Sequence, residues 1–318
     1  MEKEQSDEKN SPADLVEAKF GLLRQTILAG SRNIGRCRQD FLDACIERAD
    51  ALRVRAMPGD ANFAERIVRD FTELVSVRDQ IIDWVLLESE AAFSEDFVEE
   101  LLLFMERLRE LKLRPNEVTS WNEVWFEAHK LFVYDTFLYT VAALLKTRSY
   151  QCLHDVFFER FLRSKAEPSR NDPFCRYDDF YAYSEIINSV LAPPGQKLHS
   201  PAAELLKRNS ERKDLSFGDV MQADLLALVI ALVDPEVRWY PQTLHYSRSM
   251  GSFPFFLRAT QHKYYSKLAI ITGVPNGDTL RIKVKEGMVR LGVATWHNFM
   301  FNRGFLDEMN LDKLDTVK

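Results

Sequence analysis

Two long stretches of this chain contain neither glycine nor proline, one from residue 60 to 114 and one from 116 to 167. Strands joined by tight turns need these residues at short intervals, whereas long helices do not. Glycine is scarce throughout, with 12 among 318 residues, against a usual share of about 7%. The sequence therefore predicts an all-α protein, folded as an irregular multi-helix bundle.

The spacing of apolar residues supports this prediction. One stripe recurs every three or four residues, as on one face of an amphipathic helix, and consists of Phe97, Leu101, Phe104, Leu108 and Leu111. Ser94 precedes it and is followed by acidic residues, as at a capped helix N-terminus. We expect a helix that begins after Ser94 and packs this stripe into the core.

Further cap signals mark other helices. Residues Ser120 to Glu123 match the spacing of a capping box, which predicts a helix from there to about Lys146.

Residues Ser164–Asp179 are polar and contain two prolines, so they form the clearest connecting loop. This loop divides the chain into an N-terminal helical bundle, 1–164, and a C-terminal helical region, 177–318. The alternative is a single domain.

Charge, cysteine content and hydropathy limit the class of protein. The 42 basic and 48 acidic residues give a net charge of −6, which argues against a non-specific nucleic-acid coat but not against a local basic patch. The four cysteines form no CxxC pair, as is typical of reduced intracellular proteins. The N-terminus does not resemble a secretion signal. We therefore expect a cytoplasmic protein.

Two nine-residue windows, Phe137–Leu145 and Leu225–Val233, are the most apolar parts of the chain. A bilayer crossing needs about 20 apolar residues. Both windows are therefore predicted to be buried core segments, and no membrane partner is expected.

Motifs for several common chemistries are missing from the sequence. It contains no glycine-rich phosphate loop of the GxGxxG or GxxxxGK[ST] type, no HExxH and no GxSxG. Glu127 and His129 lie two residues apart, whereas a carboxylate and histidine that share a metal on one helix lie three apart. We accordingly predict no metal site and no cofactor.

Arg148 and His154 are separated by five residues just before a predicted helix. This arrangement resembles helical ribonucleases of the HEPN type. The resemblance implies that His154 acts as general base or acid on a ribose 2′-hydroxyl, while Arg148 holds the phosphate. The HEPN pattern allows four to six residues between arginine and histidine, and two other pairs fit it with six, Arg238 with His245 and Arg290 with His297. The alternative is therefore a surface turn at Arg148 and a helix flank at His154.

The densest basic region lies in the last third of the chain. Its candidate nucleic-acid-binding residues are Arg258, Lys263, Lys267, Arg281, Lys283 and Lys285. Tyr264 and Tyr265 lie among them, and aromatic rings between cations suit single-stranded nucleic acid. The alternative is a solvated helix face whose tyrosines pack inward.

Three large aromatic residues, Trp239, Tyr240 and Tyr246, fall in a segment with loop-like composition. Aromatic residues outside regular structure either anchor a loop on the core or face a protein partner. They are the candidate partner-binding residues.

Residues 129–132 (HKLF), 221–226 (MQADLL) and 239–246 (WYPQTLHY) resemble helical modules attached to TIR or Schlafen-type domains in bacterial conflict and antiphage proteins. The resemblance covers roughly residues 120–275 and carries no catalytic residue. It implies a non-enzymatic adaptor, sensor or scaffold that binds a protein partner. The HEPN-like ribonuclease using Arg148 and His154, and a single-stranded nucleic-acid-binding protein, are the alternatives.

Overall fold

The backbone was obtained as a computed structural model, which describes residues 12–56, 58–59, 62–163, 172–184, 186–187, 200–249, 251–292 and 304–318. Twelve α-helices lie within these ranges. They are α1 (Pro12–Leu28), α2 (Ile34–Ala51), α3 (Phe63–Ala91), α4 (Glu95–Glu110), α5 (Glu127–Lys146), α6 (Tyr150–Phe158), α7 (Pro201–Arg208), α8 (Phe217–Val233), α9 (Pro254–Arg258), α10 (His262–Thr272), α11 (Gly277–Arg290) and α12 (Gly304–Glu308).

Extended structure is minor by comparison. Phe161–Leu162 pairs antiparallel with Phe174–Cys175, which gives a two-stranded sheet. Because 69% of the structure is helical, the predicted all-α class is confirmed. No described helix is both long and apolar enough to cross a bilayer.

The predicted apolar stripe forms the buried face of α4. All five of its side chains are at most 2% exposed. The Ser94 hydroxyl accepts a hydrogen bond from the backbone N–H of Phe97 at 3.1 Å, which satisfies one of the otherwise unpaired N–H groups at the helix N-terminus. Both the stripe and its cap are confirmed.

Two helices, α5 and α8, form the centre of the bundle. They pack against each other; α5 also contacts α3, and α8 also contacts α11. Nearly every residue of both helices is buried, as expected for helices that are apolar on all sides. The windows Phe137–Leu145 and Leu225–Val233 are therefore core segments, as predicted.

The predicted start of α5 is wrong by several residues. The capping side chain is that of Asn122, which accepts from the backbone N–H of Val124, and not that of Ser120. A 3₁₀ helix, Glu123–Phe126, follows this cap, and α5 begins at Glu127. The capping-box spacing is thus present without the capping box, because the first helical turn begins after Asn122 and not after Ser120.

A single cluster of buried, contacting side chains runs from Val16 to Leu314. It includes residues from both of the predicted regions, 1–164 and 177–318. Most of the connecting segment between these regions, 164–171, lies outside the described residues. The two regions therefore share one hydrophobic core.

A buried ion pair joins α3 to α5. The Arg78 Nη1 lies 2.6 Å from the Asp135 Oδ2, and both side chains are 1% exposed. The Arg78 guanidinium also lies 4.1 Å from the centre of the Tyr139 ring and donates to the backbone carbonyl of Asn209 at 2.9 Å. The charge of Arg78 is therefore balanced inside the core.

Candidate functional site

A cavity of about 720 Å³ opens beside the C-terminal end of α5. Its walls also include the start of α6, the first turns of α8, and the helices α9 and α10. Its size falls within the range of small-molecule sites, about 300–1,000 Å³. We call this cavity the cationic cleft, for the charges described next.

Four cationic side chains line the cleft, namely Lys146, Arg148, Arg258 and Lys267. Among the described lining residues they face one carboxylate, that of Asp219. The Lys146 ammonium donates to the backbone carbonyl of Asp214, and none of the four forms an ion pair with a described carboxylate. Unneutralised cations in a concave site attract anions, so the cleft is suited to an anionic ligand.

Arg148 adopts a backbone conformation that usually belongs to glycine. Its φ is +62°, in the left-handed region, directly after the end of α5. Its N–H bonds to the Leu145 carbonyl at 3.3 Å, and the Ser149 N–H bonds to the Leu144 carbonyl at 2.9 Å. These two bonds make a Schellman motif. At the left-handed position of this motif, which Arg148 occupies, glycine has the lowest conformational free energy. Such strain in a non-glycine residue points to a role for its side chain.

Aromatic rings lie among the cations. Tyr150, Phe255 and Tyr264 line the cleft, and the Tyr150 and Phe255 ring centroids lie 6.1 Å apart. The Lys267 Nζ is 5.9 Å from the centre of the Tyr150 ring. Burial raises the pKa of Tyr150, and the positive charges of Arg148 and Arg258 oppose that rise. The cleft therefore combines guanidinium groups with apolar ring surface.

Two polar side chains of α8 complete the lining. The Gln222 Oε1 accepts a hydrogen bond from the backbone N–H of Phe255 at 2.9 Å, which ties α9 to α8. The Asp219 Oδ2 accepts from the Ser216 backbone N–H at 2.8 Å as part of the capping box of α8. Both residues are thus held in place by backbone groups.

The structure does not place His154 among the residues that line the cleft. The His154 Nδ1 lies 3.2 Å from the Ile271 carbonyl oxygen, so this nitrogen carries the proton and donates. The ring stacks on Phe158, with centroids 4.5 Å apart. His154 thus joins α6 to α10, whereas Arg148 faces the cleft. Of the pair Arg290 and His297, the histidine lies outside the described residues.

The predicted basic patch is divided by the fold. Arg258 and Lys267 line the cleft, while Lys263 is exposed with its Nζ 5.3 Å from the Tyr264 ring centre. Lys283 and Lys285 are exposed on α11 and do not line the cleft.

Arg281 has a structural contact that the sequence did not suggest. Its Nη1 donates to the Leu314 carbonyl at 2.7 Å, and it pairs with Asp278. Tyr265 is buried, which matches the alternative of tyrosines that pack inward. Only part of the predicted patch is therefore available for a ligand in the cleft.

Trp239 lies in the core and not on the surface, which corrects its place among the candidate partner-binding residues. The indole is fully buried, and its Nε1 donates to the Asp224 Oδ1 at 2.7 Å. Its ring stacks on that of Tyr134, with centroids 5.6 Å apart. Burial raises the pKa of Asp224 to about 6, against the effect of its hydrogen-bond donors. Trp239 therefore anchors the loop on α5 and α8.

The other two aromatic residues of this segment lie nearer to solvent. Tyr240 is 38% exposed. Tyr246 is partly buried, bonds through its hydroxyl to Glu204, and has the Lys207 Nζ 4.5 Å from its ring centre. A partner-binding role for Tyr240 and Tyr246 stays a prediction.

The acidic and histidine residues of α5 have structural partners. The His129 Nε2 lies 2.9 Å from the Ala49 carbonyl oxygen, and burial lowers the pKa of His129 to about 4. Glu127 accepts from the Ser184 hydroxyl and from the Ile186 backbone N–H. Within the described ranges, no group of three or more His, Cys, Asp or Glu side chains is placed to hold a metal ion.

Comparison with known proteins finds no relative of this chain. No family model matches the sequence, and neither a curated protein nor a solved structure matches it. The resemblance to helical defence modules therefore stays a prediction.

Proposed function

We propose that this chain is a non-enzymatic helical sensor that binds single-stranded nucleic acid in the cationic cleft. The observation that carries the proposal is the charge of the cleft: four cationic side chains and one carboxylate in a chain with a net charge of −6. Positive charge is thus concentrated where a ligand fits, although the chain as a whole is acidic.

The aromatic lining favours unpaired bases over other anions. Bases of a single strand stack on aromatic side chains, at about 1–3 kcal/mol per base, whereas bases in a duplex are already stacked on each other. Tyr150, Phe255 and Tyr264 supply such rings beside Arg148 and Arg258. The cations would contact phosphates and the rings would contact bases.

The salt dependence of binding tests this proposal. The logarithm of the association constant should fall against the logarithm of salt concentration with a slope of about −2 to −3, because each phosphate contact on a single strand contributes about −0.7. The measurement is fluorescence anisotropy with single-stranded RNA, duplex RNA and inorganic polyphosphate. We expect single-stranded RNA to bind most tightly. An affinity that does not change with salt concentration, or equal affinities for all three ligands, would contradict the proposal.

The same incubations address the HEPN-like ribonuclease alternative. If the protein only binds RNA, the RNA should remain uncleaved after prolonged incubation. The ribonuclease hypothesis instead predicts cleavage by the wild type and none by the His154→Ala variant. Contacts of His154 with Ile271 and Phe158 favour the first result, because they commit its ring to helix packing.

A second candidate is the adaptor or scaffold role, in which the chain binds a protein partner in a bacterial antiphage system. It is favoured by exposed leucines on α1: Leu15 is 42% exposed and Leu22 is 54% exposed. They lie seven positions apart, about two helical turns, so they share one helix face. Exposed apolar side chains grouped on a helix suit docking into a groove.

A double variant tests that second candidate. Leu15→Gln with Leu22→Gln should abolish co-purification with the product of a neighbouring gene and change the unfolding free energy by less than about 0.5 kcal/mol, since both side chains are exposed. Failure of the wild type to co-purify with any neighbouring gene product would remove the candidate.

A further inference from the structure

Asp219 and Gln222 lie three residues apart on α8 and therefore share one face of that helix. Both line the cationic cleft. Gln222 is 8% exposed, and Asp219 is half-buried. The proposed phosphate contacts use neither of them, so their polar atoms are available for another part of the ligand.

The orientation of the Gln222 amide is determined by its neighbour. A backbone N–H can only donate, so the atom that accepts from Phe255 must be the amide oxygen. The amide nitrogen is then directed away from Phe255, and it forms no hydrogen bond with a described residue. Gln222 therefore offers a donor to the cleft.

The Asp219 carboxylate offers the opposite function. Its Oδ2 is engaged by the Ser216 backbone N–H and hydroxyl, each at 2.8 Å. Its Oδ1 forms no hydrogen bond with a described residue. An ionised carboxylate can only accept, so α8 presents an acceptor and a donor one helical turn apart.

Among the four bases of RNA, guanine matches this pair most fully. Its Watson–Crick edge carries two donors, N1–H and the N2 amino group, next to the O6 acceptor. The Asp219 Oδ1 has two lone pairs and can accept from both of these adjacent donors, while the Gln222 amide nitrogen donates to O6. Uracil supplies one donor beside its acceptors. Adenine and cytosine place an amino donor beside a ring nitrogen acceptor. That acceptor would either lie against the carboxylate, which repels it, or leave the carboxylate without a donor.

We propose that the cleft recognises a guanine base, with the Asp219 Oδ1 accepting from N1–H and the N2 amino group and the Gln222 amide nitrogen donating to O6. This inference rests on the proposed binding of single-stranded nucleic acid. The aromatic rings of Tyr150 and Phe255 would contact the face of the base, and Arg148 and Arg258 the phosphates on either side of it.

The test compares short oligouridylates that carry one central guanosine, inosine, adenosine or cytidine, with anisotropy as the readout. Wild-type protein should bind the guanosine oligonucleotide about tenfold to a hundredfold more tightly than those with adenosine or cytidine, the range of a good bidentate contact. Inosine lacks the N2 amino group and should bind with intermediate affinity.

Two conservative variants assign the contacts. Asp219→Asn keeps a carbonyl oxygen for the Ser216 N–H and should remove the discrimination between guanosine and inosine. It also removes the one carboxylate among the described lining residues, so plain oligouridylate should bind more tightly than it binds to the wild type. Gln222→Glu keeps an acceptor for the Phe255 N–H but loses the donor, so the preference for guanosine should disappear.

The outcomes separate this inference from the proposed function. Tight, salt-dependent binding with equal affinity for all four oligonucleotides would overturn the guanine inference and leave the proposed function intact. Absence of binding to every oligonucleotide would overturn both. The comparison of guanosine with inosine uses wild-type protein alone, so it decides the inference even if a variant fails to fold.

Discussion

Reversal of charge at Arg148 and Arg258 together should weaken the binding of single-stranded RNA at least a hundredfold. A hydrogen bond to a charged group contributes about 1.5–3 kcal/mol, so two lost contacts cost about 3–6 kcal/mol. Each 1.4 kcal/mol is about a factor of ten in affinity. The variant Arg148→Glu with Arg258→Glu also adds repulsion from phosphate, and both side chains are exposed, so the fold should persist.

A matched control separates the cleft from general charge. Lys283→Glu with Lys285→Glu changes the net charge by the same amount, at two exposed residues of α11 that do not line the cleft. We expect this control to alter affinity much less than the cleft variant in the same anisotropy titration. Equal losses of affinity in the two double variants would show that binding depends on the overall charge of the protein and not on the cleft.

The largest expected effect on stability is that of Asp135→Ala. This change leaves the Arg78 guanidinium charged and buried without the carboxylate that lies 2.6 Å from it. Removal of one partner of a buried ion pair typically costs about 3–5 kcal/mol. An arginine side chain keeps its proton even inside a protein, so deprotonation of Arg78 offers no relief in this variant. Urea unfolding followed by circular dichroism measures the effect.

Asp79 provides the comparison for that variant. Its carboxylate also pairs with Arg78, at 2.8 Å, but its side chain is 35% exposed. Because solvent screens such a pair, Asp79→Ala should cost about 1 kcal/mol or less. If the Asp135 and Asp79 variants lost equal stability, burial would not govern the strength of this ion pair.

The helical class could be predicted because it depends on local signals. Long stretches without glycine or proline and the stripe from Phe97 to Leu111 are properties of contiguous sequence, and the core on α4 follows from them. The start of α5 could not be predicted as well. Ser120 and Asn122 are both capping residues, and only the path of the chain determines which of them meets a free N–H group.

The position of Trp239 shows a different limit of sequence-based prediction. Whether an aromatic residue in a loop faces solvent or the core depends on its partners. The partner of its indole is Asp224, which lies 15 positions away on α8. The aromatic ring beneath it, Tyr134, belongs to α5. Neither neighbour is visible from the composition of the loop.

The cleft was only partly predictable for the same reason. Charge or spacing in the sequence marks Arg148, Arg258 and Lys267 as candidate ligand contacts, whereas nothing in the sequence marks Asp219 or Gln222 as one. The cleft gathers side chains from segments far apart in the chain, and their proximity arises from packing around α5 and α8. The one local sign, an arginine at the glycine position of a Schellman motif, becomes visible only with the backbone.

That arginine gives the most direct test of the central claim, that the cationic cleft binds single-stranded nucleic acid. Arg148→Gly removes the cation while giving the left-handed backbone the residue that suits it. The measurement is the affinity of this variant for single-stranded RNA, with its unfolding free energy determined alongside. We predict about tenfold weaker binding by a protein at least as stable as the wild type. Unchanged affinity in the folded variant would contradict the claim.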